Sequence, residues 1–569
     1  MSRNKKKGPS YGLEGMTTST PGRNVLYYGD NISVMKYMPK DCVDLIYLDP
    51  PFKSNANYNL LYKGMTGKPV PEQAEAFFDT WELDAAKLEV ARTMPVLMRQ
   101  HGVDDTYVNF WKIWMEALKN SQPELLAYLI YMVQRLLYMK TILRPTGSIF
   151  LHCDQTASHY IKVMMDGIFG HDNFRNEIVW KRQSAHSDAR SKFSAVSDAI
   201  LFYAASKHAK FFPQYVDHDP DYVDKFYRFD DNDGRGRYRL GDMSAPKGGG
   251  MAAINRNTGL PNGWHVYKGF EPPATGWRYS PETLARLDSE GRIYFPRHKD
   301  GQLDTSRRLA LKRYLDEQKG SIVTNVWTDI SPVQGGESLG YPTQKPVSLL
   351  ERIIASTTEP GDIVFDPFCG CGTTVYAASK LNRKWIGCDI AILAIKLVRE
   401  VLSEKYRLVE GNDFDVDGIP VSVEQAEELF NSDPFQFQHW LVERVGGLPM
   451  QKKVADRGID GRLYFEVNKN LEEMVLSVKG GKLRPTDVRD LRGVIEREKS
   501  AMGGFLSLSE PSKAMRLEAA EAGMYECNGV KYPRLQLLTV RDVLEGKKSL
   551  LTPTKLNTRI SSGQQSLAL

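Results

Sequence analysis

Two apolar runs far apart in the chain each end on an Asp-Pro pair, and that repetition restricts the fold more than any other feature. Val43 to Leu48 leads into Asp49-Pro50-Pro51-Phe52, and Ile363 to Phe365 leads into Asp366-Pro367-Phe368-Cys369-Gly370-Cys371-Gly372-Thr373-Thr374. Short continuous apolar runs bounded by turn residues are the pattern of strands buried on both faces in a parallel sheet. Parallel strands need helical crossovers, so the chain has to alternate strand and helix. Helical spacing at Val108 to Leu143, Ile161 to Ile168 and Val347 to Ala355 supplies the helices, and Asn24 to Tyr28, Ser148 to His152, Glu177 to Trp180 and Lys384 to Cys388 read as further strands. Both Asp-Pro segments then fall at strand C-termini, the edge where open α/β sheets keep their ligand sites.

The residues in the two segments suit different tasks. In the first, the Asp49 carboxylate and the Pro50 carbonyl are two acceptors in one turn. Pro50 and Pro51 stiffen that turn without adding donors, and Phe52 offers a flat face. In the second, small residues where a strand turns into a helix let backbone N–H groups approach a ligand closely. By itself the tetrapeptide is a turn with an acid, and the glycine loop fits any nucleotide.

Together, and in this order, the two segments resemble the beta class of S-adenosylmethionine-dependent DNA amino-methyltransferases, which includes the modification subunits of type III restriction systems. The resemblance covers roughly residues 23–410. It implies catalysis by Asp49, Pro50, Pro51 and Phe52, with Asp49 and the Pro50 carbonyl accepting the hydrogens of an exocyclic amine and Phe52 stacking on a base flipped out of the duplex. It implies that Asp366, Phe368, Gly370 and Gly372 hold the methionine part of S-adenosyl-L-methionine. Asp389 would take the ribose hydroxyls, Asp30 would lie beside the adenine, and Lys345 would neutralise the methionine carboxylate. The leading Asp implies N6 of adenine in double-stranded DNA as the acceptor, with N4 of cytosine as the alternative. No metal is expected in this part.

Bulk properties neither demand nor oppose this. Lys plus Arg exceed Asp plus Glu by 75 to 70, a balance that permits a nucleic-acid partner through a locally basic face. The six scattered cysteines suggest a reducing, cytoplasmic compartment, and Cys369 and Cys371 stand too close together for a zinc knuckle. The longest apolar run, Leu125 to Val133, is broken by Gln134 and Arg135 and falls short of the ~20 residues of a membrane helix. His152, Cys153 and Asp154 follow another strand, and with no matching base or acid they read as pocket wall or core.

At 569 residues several domains are expected. A disordered basic tail, 1–22, precedes the catalytic half of the methyltransferase core, 23–180, which includes a mobile insertion over Asn55 to Val103. Residues 181–340, rich in Gly, Pro and aromatics with Arg235, Arg237 and Arg239, occupy the place of a target-recognition insertion. The cofactor half follows at 341–410, then an acidic, turn-rich linker at 411–433. Residues 434–545 resemble an Mrr-type restriction-endonuclease domain, whose motif implies Asp460 and Lys479 as a nuclease site for Mg²⁺. Ser477 replaces the usual acid of that motif, with Glu443 or Glu466 as candidate substitutes, so a fused metal-dependent nuclease and an inactive DNA-gripping domain both remain open. Residues 546–569 read as a disordered tail. The expected fold is α/β, a Rossmann-like methyltransferase sheet with an inserted target-recognition region and a C-terminal α/β restriction-endonuclease-like domain. A homodimer or a separate restriction subunit completes the expected partners.

Overall fold

The computed structural model describes residues 23–51, 81–153, 157–183, 193–246, 263–339, 341, 343–450, 458–468 and 470–553. The basic tail, Phe52 with the insertion up to residue 80, Asp154 and residues 554–569 lie outside the described residues. Two units are present, one of Met1–Phe212 with Asn325–Leu569 and one of Pro213–Thr324.

Among the described residues, the first unit is built on a nine-stranded sheet. Its strands are β1 (Asn24–Tyr28), β2 (Val43–Leu48), β3 (Leu143–Cys153), β4 (Phe174–Lys181), β5 (Ser197–Ala204), β6 (Val326–Trp327), β7 (Ile363–Asp366), β8 (Lys384–Asp389) and β9 (Phe414–Asp417). They lie in the order β6-β4-β5-β3-β2-β7-β8-β1-β9. Every pairing is parallel except the two made by β5, so eight strands share one direction and one edge collects their C-termini. Every residue of β2 is buried, as its apolar run requires. Asp44 is tolerated inside it because Arg144 Nη1 donates to its carboxylate at 2.7 Å and the Ile363 N–H at 2.9 Å.

Helices α1 (Asn31–Tyr37), α2 (Ala85–Gln100), α3 (Asp105–Ser121), α4 (Pro123–Ile142) and α5 (Ser158–Phe169) belong to the part before residue 181. After residue 340, α6 (Val347–Thr357), α7 (Thr373–Lys380) and α8 (Ile392–Glu404) alternate with strands. Helix α4 is apolar almost all round and lies at the centre of the largest cluster, where Leu126, Leu129, Val133, Leu136 and Leu137 are fully enclosed. Burying each such side chain contributes about 1.5–3 kcal/mol. No helix among the described residues is long and apolar enough to cross a membrane.

Four expected boundaries differ. The insertion expected over Asn55 to Val103 ends in a helix, because α2 places Ala91, Met94 and Met98 on one buried face. The expected 181–340 insertion is narrower as a compact unit, 213–324, because β5 returns to the main sheet and β6 pairs with β4. The 411–433 segment is not a free linker: β9 adds to the sheet beside β1, and a helix, α9 (Val423–Ser432), follows. The tail expected from 546 is held at its start, where Leu551 exchanges hydrogen bonds with Gln536 at 2.8 and 2.9 Å.

In the second unit Tyr238–Gly241, Ala310–Tyr314 and Ile293–Tyr294 form a small antiparallel sheet over a core of Met243, Phe270, Trp277 and Leu284. The arginines singled out there are engaged within the unit: Arg235 with Asp233, Arg237 with Asp224, and Arg239 over the Tyr227 ring.

The C-terminal part of the first unit begins with α10 (Pro434–Arg444) and has its own mixed sheet. Its strands are β10 (Leu448–Pro449), β11 (Gly461–Val467), β12 (Asn470–Lys479), β13 (Met502–Ser507) and β14 (Leu535–Thr539), in spatial order β10 to β14. Gly503 and Gly504 let Ile495 and Leu476 press onto β13, where an added Cβ would lie 2.4 and 2.7 Å from them.

Candidate active site

Strands β2 and β7 are neighbours, with Leu45 opposite Val364 and Ile46 opposite Phe365, so the two Asp-Pro turns emerge side by side. Asp49 is the first residue beyond β2. One oxygen of its carboxylate accepts a hydrogen bond from Lys345 Nζ, and the two side chains keep only 15% and 10% of their surface. Lys345 also donates to the Thr343 carbonyl at 3.2 Å. The structure thus brings Lys345 onto Asp49, whereas the sequence resemblance implied a role at a cofactor carboxylate. The other oxygen, Asp49 Oδ1, is buried and has no hydrogen-bond partner among the described residues. A buried acceptor without a donor is costly, so in a native site it calls for a water, an ion or a ligand group to satisfy it. Pro50 is buried beside it.

The β7 turn gives the opposite wall. Asp366 Oδ1 accepts the Phe368 N–H at 3.0 Å. Burial, reinforced by the nearby Asp49 and Asp389 carboxylates, pushes the Asp366 acid up to about 7 against the hydrogen bonds of Thr374 and Phe368. Gly370 and Gly372 both have positive φ, 52° and 86°. At Gly372 an added Cβ would lie 2.8 Å from Val398 Cγ2 and 2.9 Å from Tyr376, so glycine is needed for space as well as for the turn. The Tyr341 ring lies over Gly370.

Asp389 closes β8. Its Oδ2 accepts the Gly370 N–H at 2.7 Å and its Oδ1 the Ala391 N–H at 2.9 Å. Burial nevertheless pushes it up to about 6, with those backbone bonds acting the other way. Asp30 caps α1 through the Ile32 N–H at 2.8 Å and accepts from Arg135 Nη2 at 2.5 Å. Arg135 in turn lies flat against Tyr131, 3.3 Å from the ring centroid, and the Phe368 ring stands 6.2 Å from that of Tyr131. Arg135 and Tyr131 were not expected in the site. The signal was there: an arginine that interrupts the most apolar run of the chain, four residues after a tyrosine, must find a buried anion from that face of the helix.

A second set of polar side chains lies at Tyr47, two residues before Asp49. His152, fully buried, meets the Tyr47 hydroxyl at 2.9 Å through Nδ1 and Asp198 Oδ2 at 3.1 Å through Nε2. Burial pushes Asp198 up, but the His152 bond and charge and the Arg182 charge outweigh it and hold its carboxylate below the usual range. Asp198 reaches His152 because β5 runs antiparallel and starts at the edge where the other strands end, a placement invisible to local pattern.

The expected second pair shares a strand end, with its acid engaged by neighbouring groups. Asp460 and Lys479 do sit at the same end of paired strands, since Gly461 is opposite Leu476. The Asp460 carboxylate, however, accepts the Val478 N–H at 2.6 Å on one oxygen and Gln438 Nε2 on the other, while Lys479 is exposed. Glu466 stands opposite Leu471 at the far end of the hairpin, six residues or about 20 Å along the strand. Glu443 turns away to the Ile392 N–H. Among the described residues no group of three His, Cys, Asp or Glu side chains is arranged to hold a metal ion.

A family model described as DNA methylase matches residues 43–400. Another, described as NACHT-associated inactive Restriction Endonuclease 1, matches residues 434–544. Type II methyltransferase M.EcaI of Enterobacter cloacae is 33% identical over 275 residues, which are 48% of this chain and 56% of that protein. The type III restriction-modification enzyme StyLTI Mod subunit of Salmonella typhimurium is 26% identical over 377 residues, 63% of this chain and 50% of the relative. The chain spans about half the length of these curated relatives. The solved PvuII DNA methyltransferase, described as cytosine-N4-specific, is 12% identical with a TM-score of 0.29 over 69% of this chain and 95% of that one.

Proposed function

The chain belongs to the N6/N4 DNA methylase family, and on that premise we propose that it methylates the exocyclic N6 of adenine in duplex DNA with S-adenosyl-L-methionine as donor. The observation that carries the proposal is the buried Asp49 Oδ1, without a hydrogen-bond partner among the described residues, in a turn stiffened by two prolines, while Lys345 holds the other oxygen of the same carboxylate at the strand edge next to the glycine loop.

The residues present fit the donor. The loop from Asp366 to Gly372 turns through two glycines at positive φ beside the strand end, Asp389 has acceptor capacity left beyond its two N–H bonds, and buried Asn31 Oδ1 lacks a partner among the described residues. Asp366, Phe368, Gly370, Gly372, Asp389 and Asp30 would hold it. When bound, S-adenosyl-L-methionine supplies a sulfonium-activated methyl group.

The chain's own part is orientation. An exocyclic amine is a poor nucleophile because its lone pair is delocalised into the ring. Asp49 Oδ1 accepts one amine hydrogen and the Pro50 carbonyl the other, which turns the lone pair out of the ring toward the methyl donor. Lys345 keeps the carboxylate from rotating. Reaching this pocket requires the base to leave the stack, at a cost of a few kcal/mol, and Phe52 offers the face that offsets it.

The Asp at the head of the tetrapeptide supports adenine over cytosine. Residues 213–324 are the candidate for reading the target sequence. For 434–544, the match to an inactive endonuclease model and the internally satisfied Asp460 support a DNA-positioning domain of restriction-endonuclease ancestry over an Mg²⁺-dependent nuclease. The Mod-subunit relative supports a separate restriction subunit as the partner to test. The deciding experiment is mass spectrometry of nucleosides from duplex DNA incubated with the protein and S-adenosyl-L-methionine: N6-methyladenine is expected, N4-methylcytosine alone would move the assignment to the other amine, and no modified base would refute methyl transfer.

A further inference from the structure

Helix α8 begins without a cap of its own. Its N-cap residue is Ala391, which has no side-chain acceptor, and helices leave their first N–H groups unsatisfied unless such an acceptor is present. The missing acceptor comes from the C-terminal domain: Glu443 Oε2, near the end of α10, accepts the Ile392 N–H at 3.1 Å. On the same helix Gln436 Nε2 reaches the Ile390 carbonyl at 3.4 Å. These two contacts bracket Ala391, whose own N–H holds Asp389 Oδ1 at 2.9 Å. Both side chains are almost fully buried, Gln436 at 3% and Glu443 at 9% exposure. The backbone from Asp389 to Ile392 is therefore gripped from two sides, by the carboxylate of Asp389 within the turn and by α10 from outside. Glu443 is also the acid that could have completed a nuclease site in its own domain, and it is committed elsewhere.

We infer that Glu443 is a positioning residue through which the C-terminal domain holds the Asp389 turn and thereby sets the affinity of the methylase for S-adenosyl-L-methionine. The inference rests on the reading that Asp389 binds that cofactor. Removing the long-range cap frees the first turn of α8 and, with it, the N–H that aims Asp389. The loss should appear in cofactor binding and not in the chemical step, because Asp49 and Lys345 lie on other segments. Glutamine keeps an acceptor oxygen at the same reach and should substitute.

The test is calorimetry of S-adenosyl-L-methionine binding to the full chain as wild type, Glu443→Ala, Glu443→Gln and Asp389→Ala, with KM for the cofactor and kcat measured alongside. Loss of an N-cap acceptor predicts a Kd and a cofactor KM raised roughly two- to thirtyfold in Glu443→Ala. The kcat at saturating cofactor should stay near wild type, and Glu443→Gln should restore wild-type affinity. If Asp389→Ala weakens binding while Glu443→Ala does not, the inference is overturned and the cofactor assignment survives. If neither variant changes the Kd, Asp389 is not a cofactor residue and both readings fall. Should Glu443→Ala not fold, Glu443→Asp shortens the reach by one methylene with the carboxyl group retained; a raised Kd there supports the inference and an unchanged one overturns it.

Discussion

At the scale of single residues, the site is defined by which carboxylate oxygens are already occupied. Asp389 and Asp30 have donors on both oxygens, whereas Asp49 has Lys345 on one and nothing among the described residues on the other. Under the proposed function, chemistry that needs an acceptor is assigned to Asp49. Asp49→Ala is expected to abolish methyl transfer, with S-adenosyl-L-methionine affinity within about threefold of wild type. Turnover of labelled cofactor and calorimetry read the two quantities separately, and near-normal turnover would remove Asp49 from the mechanism. These assignments are partly legible in sequence, because Asp49 and Asp389 each end an apolar strand. The Lys345 contact was not, since it joins residues 296 positions apart.

At the scale of elements, the glycine loop and the C-terminal hairpin make contrasting predictions. Gly372 has φ 86° and no room for a methyl group against Val398 and Tyr376, so Gly372→Ala should destabilise the fold by about 1–3 kcal/mol before any effect on ligand. A thermal melt without cofactor checks this, and an unchanged midpoint would mean that the loop relaxes freely. In the hairpin, Asp460 is spent on Val478 and Gln438, and divalent cations of the Mg²⁺ type require free carboxylate oxygens. Incubation of unmethylated duplex with the protein and either Mg²⁺ or Mn²⁺ should leave the DNA intact. Cleavage lost in both Asp460→Ala and Lys479→Ala would overturn this and make the chain a fused restriction enzyme.

At the scale of the whole molecule, burial of acids at one sheet edge ties stability to pH. Asp366 is pushed up to about 7 and Glu443 to about 8, in both cases chiefly by burial. The folded chain therefore keeps protons that these groups lose near their ordinary values of 3.8 and 4.5 once it unfolds. Proton uptake on folding means that stability falls as pH rises toward the folded values and levels off above them. His101 and His265, held down by burial, act on the acid side of this window. The cofactor-free protein should thus melt several degrees lower at pH 8.5 than at pH 6.5, with a smaller drop in Asp366→Asn. A melting temperature that rises over this interval would show that the two acids are ionised in the folded state.

What the sequence determined by itself follows from contiguity. Apolar runs ending on Asp-Pro, a glycine loop and helical spacing are local signals, and they suffice for an α/β sheet with both turns at one edge, for Asp49 as an acid beyond β2, and for the glycine loop beyond β7. Other decisions belonged to tertiary structure because they depend on which distant segments meet. Strand β5 returns to the sheet with reversed direction, bringing Asp198 to His152, although 181–340 reads as one irregular insertion. Residues 414–417 read as linker because four residues carry too little pattern, and they become a strand only when β1 offers an open edge. Arg135 interrupts an apolar helix and becomes intelligible only when the chain folds Asp30 beside it. Glu443 is the clearest case: spacing groups it with its own domain's acids, while packing sends it to an uncapped helix 51 residues earlier, where a buried N–H without an acceptor would cost about as much as a lost hydrogen bond.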